Sequence, residues 1–127
     1  MDNSRSAAAQ IGGRAYELLL TTRATREIAG RYGALEDLGD KLMRSENFEQ
    51  AIGEVVWLIT LLANQGILVH NLQEPDDPQP LLTEEAVELL TSPADLAVCK
   101  DAIMEALRKG TERFVKSEVD GKNAKGG

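Results

Sequence analysis

A chain of 127 residues with 43% hydrophobic residues is long enough for one real core and too apolar to stay unfolded. Aromatics are only 4%, so the core must be Leu, Ile, Val and Ala, a composition that favours helices over a β-sandwich. Fourteen Lys and Arg against 21 Asp and Glu give a net charge of −7, which argues against binding nucleic acid or an anionic membrane surface.

The best basic patch, Arg23, Arg26 and Arg31, is interrupted by Glu27 and reads as a solvated helix face. Cys99 is the sole cysteine, so no internal disulfide and no Cys-rich zinc site can form. A reducing cytoplasm fits that usage. The opening MDNSRSAAAQ has no apolar core of signal-peptide length, and the expectation is a cytoplasmic, unprocessed protein.

Residues 1–7 read as a flexible tail. In AQIGGRAYELLLTT, Gly12-Gly13 can supply the positive φ of a tight hairpin; Ala15 to Thr21 suits a strand, although YELLL also suits a helix. TTRATREIAGRYG reads as a helix capped by Thr21 or Thr22, with Ala24, Ile28 and Tyr32 on one face and Gly33 closing it. A second helix is expected in ALEDLGDKLMR, with Leu35, Leu38 and Leu42 on one face.

NFEQAIGEVVWLITLLANQ is the third helix, with Asn47 as its cap and Gly66 as its end. Its run Val55–Ala63 is bounded by Glu54 and Asn64-Gln65-Gly66 and is too short for a membrane span, which takes about 20 residues. At 100° per residue, Phe48, Ala51, Ile52, Val55, Val56, Leu58, Ile59, Leu62 and Ala63 form one stripe. Trp57 and Leu61 fall on the other side, among Gln50, Gly53, Thr60 and Asn64.

HNLQEPDDPQP, with three prolines, is a loop over 70–81. LLTEEAVELL restarts helix with Thr83 as cap, Glu84 and Glu85 in the first turn and Leu82 placed to staple onto Val87. TSPADLAVCKDAIMEALRKG restarts it again: Ser92 caps, Pro93 is the first helical residue, Leu96, Cys99, Ile103 and Leu107 form the buried face, and Gly110 closes it. Residues 115–127 read as a second flexible tail. The expected fold is mostly α: a single small domain over 8–114, of about five helices with a short N-terminal hairpin.

Chemistry is sparse. His70, the sole histidine, sits at a loop start and reads as polar surface. Glu74, Asp76 and Asp77 lack the spacing of a calcium loop and read as solvated acids. Cys99, on an apolar face, reads as an inert buried thiol. IGGR and AGRYG lack the spacing of a phosphate loop. No catalytic residue, cofactor or metal is expected, and the chain does not read as an enzyme. Trp57 and Leu61 carry two readings: a central helix covered on both sides, or a contact for a partner, where Trp is favoured.

Three stretches in this order, TTRATREIAGRYGALEDLGDKL, AIGEVVWLITLLANQGI and LTEEAVELLTSPADLAVCKDAIMEALRKG, resemble the tail assembly chaperones of long-tailed phages and prophages of Gram-positive bacteria. The shared points are a YEL segment before the first helix, REIAGRYG followed by LEDL, an apolar helix ending in NQG, an LTEE helix start and a final AIMEALRKG helix. The resemblance covers about residues 11–110. Its motifs are helix patterns and glycines rather than ligand residues, so no functional residue is carried over.

The resemblance implies a non-enzymatic protein made in the infected or lysogenic cell. It would coat the tape measure protein and keep it soluble until tail tube subunits polymerise around it, often with a second, frameshifted longer form. The implied partners are the tape measure protein and the tail tube protein, with self-association, and no nucleic acid, membrane or small-molecule substrate. Two other readings stand beside it: a small helical regulatory or DNA-binding module of phage origin, and an enzyme using His70 or the acidic loop.

Overall fold

A computed structural model describes residues 6–34, 38 and 48–126, and of 112–126 the backbone alone. The fold is mostly α. Among the described residues it has four helices and one two-stranded sheet.

The sheet is the hairpin expected at Gly12-Gly13. Strands β1 (Ser6–Ile11) and β2 (Arg14–Leu19) pair antiparallel, with Ile11 opposite Arg14. Gly12 and Gly13 have φ of 61° and 81°, the positive values that tight hairpin turns demand and L side chains resist. YELLL is therefore strand, and the strand partner begins at Ser6, inside the segment expected to be a tail. Alternation sends Ala9, Ile11 and Leu18 into the core.

Helix α1 (Thr22–Tyr32) buries Ala24, Ile28 and Tyr32, as their spacing predicts. Thr21 is its cap: the Ala24 N–H donates to Thr21 Oγ1 at 3.0 Å. Gly33 closes it, its N–H donating to the Ala29 carbonyl at 2.8 Å. The helix expected in ALEDLGDKLMR lies outside the described residues except Ala34 and Leu38, of which Leu38 is fully buried; the expected cap Asn47 also lies outside them.

Helix α2 (Phe48–Gln73) is longer than expected. It does not stop at Gly66, because Ile67 beyond it is still buried and the backbone stays helical to Gln73. The loop therefore starts at Glu74, and His70 belongs to the last helical turn. Gly66 serves a different purpose. A Cβ there would lie 2.5 Å from the carbonyl oxygen of Glu17, so the absent side chain is what lets α2 press against β2. Phe48, assigned to the core stripe by its angle, is 70% exposed.

By length and composition α2 could cross a membrane, which the short run Val55–Ala63 does not convey. Its burial argues otherwise. Half of its most apolar stretch is already covered, with Val56, Leu58, Ile59 and Leu62 packed into the protein core.

Helices α3 (Glu84–Leu90) and α4 (Pro93–Gly126) start where their local chemistry dictates. Thr83 caps α3, accepting from the Ala86 N–H at 3.0 Å. Ser92 and Asp95 form a reciprocal capping box: the Asp95 N–H donates to Ser92 Oγ, and the Ser92 N–H donates to Asp95 Oδ2. Leu96, Cys99, Ile103 and Leu107 are buried as their spacing predicts. Helix α4 continues through Gly110 to Gly126, past both the expected end and the start of the expected tail. Gly110 again gives room, since a Cβ there would lie 2.8 Å from the side chain of Leu20.

The core forms where α2 underlies β2 and α4 underlies β1, the two helices touching each other, with α1 and α3 against α2. Its largest fully buried side chains are aliphatic, including Ile11, Leu18, Leu58, Leu62 and Ile103. Each is worth roughly 1.5–3 kcal/mol of burial.

The helical glycines separate into two classes, and substitution should distinguish them. Gly53 and Gly30 have open space where a Cβ would go, so Ala there should stabilise by about 1 kcal/mol through helix propensity. Gly66→Ala should instead destabilise by roughly 1–3 kcal/mol through overpacking against β2. Denaturant titration of the three single variants checks this; a gain from Gly66→Ala equal to that from Gly53→Ala would refute the close-approach argument.

Candidate functional site

Of the two residues that the core stripe does not explain, Trp57 is covered in part by α1. Trp57 is half-buried and meets Tyr32 edge to face, with centroids 6.1 Å apart and planes at 71°. The Arg31 guanidinium lies over the indole, 4.4 Å from its centroid. Arg31 Nε donates to Glu54 Oε1 at 3.1 Å, and the Tyr32 hydroxyl donates to the same carboxylate oxygen. Two helices thus form one cluster in which Glu54 holds the two α1 residues that cover Trp57. Arg31, counted by sequence among the basic patch, is paired here rather than free. Leu61 is also half-buried and packs against the core.

Burial pushes the Tyr32 phenol well above its ordinary value, and its hydrogen bond to Glu54 raises it further, since an ionised phenolate would face a carboxylate. Burial also raises the Cys99 thiol, with Asp95 adding to the effect, so this sulfur is kept protonated and poorly nucleophilic.

Another side of α2 is covered by the proline-rich segment after it. Asn64 Nδ2 donates to the Leu82 carbonyl at 2.9 Å, and the Leu82 N–H donates to Asn64 Oδ1 at 2.7 Å. Asn71, two turns on, holds Gln79 in the same way, at 3.1 and 2.9 Å. A carboxamide carries one donor and one acceptor side by side, so each Asn stands in for a neighbouring strand. His70 Nε2 donates to the Asp77 carbonyl at 2.9 Å, and Arg14 in the hairpin reaches Gln79 Oε1 at 2.8 Å. Residues 77–82 are therefore a strap laid back along α2. His70 and Asp77 are part of its fastening. Among the described residues, no group of three His, Cys, Asp or Glu is placed to hold a metal ion.

Large apolar side chains stay exposed elsewhere. They are Phe48, Leu72, Leu81, Leu89, Leu90 and Val98, and four of these six fall between Leu81 and Val98. Leu89 is 77% exposed and Val98 66%. Sequence reading passed over both. A signal was present for Val98, which falls off the face formed by Leu96, Cys99 and Ile103. Leu72 borders a second apolar surface, a shallow groove of about 400 Å³ lined also by Thr21, Arg23, Gln65, Leu68 and Val69.

No family model matches the chain. No curated protein matches it. No solved structure matches it.

Two consequences of this geometry are measurable. Asn64→Ala should release the strap at Leu82 and cost roughly 1–2 kcal/mol, because a part-buried donor and acceptor lose their partners. Hydrogen exchange should show the Leu82 amide losing protection while those of α1 keep theirs; unchanged exchange at Leu82 would contradict the clamp. The second concerns alkaline pH. The Tyr32 phenol ionises more readily in the unfolded chain than in the fold. Its contribution is therefore complete below the ordinary tyrosine value of about 10 and is lost as pH rises beyond it. Urea unfolding between about pH 9 and 11 should show stability falling with pH, with a shallower fall in Tyr32→Phe.

Proposed function

We propose that this protein is a non-enzymatic tail assembly chaperone of a phage or prophage, which binds the tape measure protein in the host cytoplasm and supports tail tube assembly. The observation that carries this reading is the coexistence of a packed small core with large apolar side chains left in solvent, Leu72, Leu89 and Val98 foremost. Large apolar side chains left in solvent on a small folded domain are the natural material of a protein contact. A tape measure chain is long and helical, and its apolar stripes aggregate when bare. Covering them takes apolar contact in many copies, and helix-to-helix packing is the natural mode. The sequence resemblance over about residues 11–110 points the same way. Trp57 and Leu61 contribute to such a contact only the area that α1 and the core leave open.

Co-expression tests the proposal. A very long tape measure gene should lie beside this one, and its product should be insoluble alone and should co-purify as a soluble complex when this chain is supplied. A tape measure protein that stays insoluble in both cases would overturn the reading.

A further inference from the structure

The chain's charge is not spread over the fold. Between Glu74 and Asp101 there are eight carboxylates and a single cation, Lys100; the rest of the chain has thirteen acidic and thirteen basic residues. The whole net charge of −7 therefore belongs to the segment 74–101, which runs from the loop after α2 through the strap and α3 into the first turns of α4. The same segment carries the exposed Leu81, Leu89, Leu90 and Val98. Helix α3 has only one buried side chain, Val87, and presents Glu85, Glu88 and Leu89 to solvent. On the first turns of α4, Ala94, Ala97, Val98 and Asp101 are exposed while Leu96 and Cys99 point inward.

We propose that the solvent face of α3 and the first turns of α4 docks a basic amphipathic helix. The helix would lay its apolar stripe on Leu89 and Val98 and set its Lys or Arg flanks against Glu85, Glu88 and Asp101. Charge complementarity selects this occupant. An acidic partner is repelled, and a second copy of this chain would bring the same acidic segment against itself. The groove beside Leu72 names no occupant in this way, because it has Arg23 at its rim and no comparable field of one sign. The inference deepens the chaperone reading and rests on it only in taking a helical chain as the partner.

The experiment uses the full chain and a labelled, two-faced Leu–Lys peptide of about four helical turns. A Leu–Glu peptide of the same pattern is the control, and fluorescence anisotropy is the readout. The Leu–Lys peptide should bind, more weakly as salt is added, and the Leu–Glu peptide should not. Leu89→Ser with Val98→Ser keeps every charge at exposed positions and should weaken binding about tenfold or more. Glu85→Gln with Glu88→Gln should weaken it and flatten the salt dependence. Equal binding by the wild type and the double Ser variant would reduce the effect to unspecific charge attraction and overturn the proposal. A concentration-dependent dimer in sedimentation, abolished by Leu89→Ser, would assign the face to a second copy and overturn it too. Failure to bind the Leu–Lys peptide while the tape measure protein is still solubilised would sink this inference and leave the chaperone reading standing.

Discussion

The fold depends on the contact between Gly66 of α2 and the Glu17 carbonyl of β2. A helix turns 100° per residue, so three consecutive positions face three directions. In α2 each of the three has a separate neighbour. Asn64 grips the strap at Leu82, Gln65 accepts the Thr21 hydroxyl at 2.5 Å, and Gly66 admits β2. The Gln65 contact orders the start of α1, because the same Thr21 oxygen accepts the Ala24 N–H that caps it. The Gly66 contact sets the height of the hairpin over α2, and hence where β1 meets α4. There a second missing side chain, at Gly110, makes room for Leu20. One point on the central helix thus fixes three neighbours, and a fourth follows through the sheet.

These contacts divide the molecule into a finished part and an unfinished one. Around α2 the polar groups are matched: Gln65 is 4% exposed yet bonded, and among the described residues no buried side-chain nitrogen or oxygen lacks a partner. Trp57, the largest side chain in the protein, has Arg31 over its face and Tyr32 at its edge. Past the strap the character changes. Helix α3 is anchored by Val87 and its caps, with Leu90 beside Gly12 of the hairpin turn, while Glu85, Glu88 and Leu89 face outward. A helix of two turns has little stability of its own and takes it from what it packs against. Such an element is stabilised by an external partner in the same way as by an internal one.

Features set by adjacent residues were legible in the sequence. The caps at Thr83 and Ser92, the Gly12-Gly13 turn and the buried faces of α1 and α4 follow from chemistry within a turn or two. Gly66 and Gly110 were misread as helix ends because a terminating glycine and a close-approach glycine look alike in sequence. What separates them is a segment far away in the chain, Glu17 of β2 for Gly66 and Leu20 just after it for Gly110. Trp57 could be seen to leave the stripe, but its cover comes from α1, so the pattern of α2 alone could not supply it. The strap was hidden similarly: three prolines identify a loop and say nothing of which asparagines will hold it. The concentration of charge in 74–101 was fully legible, and needed only to be counted by segment rather than over the whole chain.

On the proposed chaperone reading, that concentration bears on how a protein working in many copies would avoid binding itself. An exposed apolar face lowers its free energy by burial against any other apolar face, including that of an identical molecule. Placing the net charge in the same segment as Leu89 and Val98, with Glu85, Glu88 and Asp101 exposed on the same helices, makes the two encounters unequal. Between copies, like charges approach as the apolar surfaces do, and the gain is opposed. With a basic partner the same charges attract, and both terms act together. Screening by salt weakens both the repulsion and the attraction while leaving the apolar gain intact, so selectivity against self-contact is an electrostatic property laid over an unselective hydrophobic one. On the proposed reading, the acidic composition that argues against nucleic acid as a partner would also direct the apolar face toward a basic foreign chain.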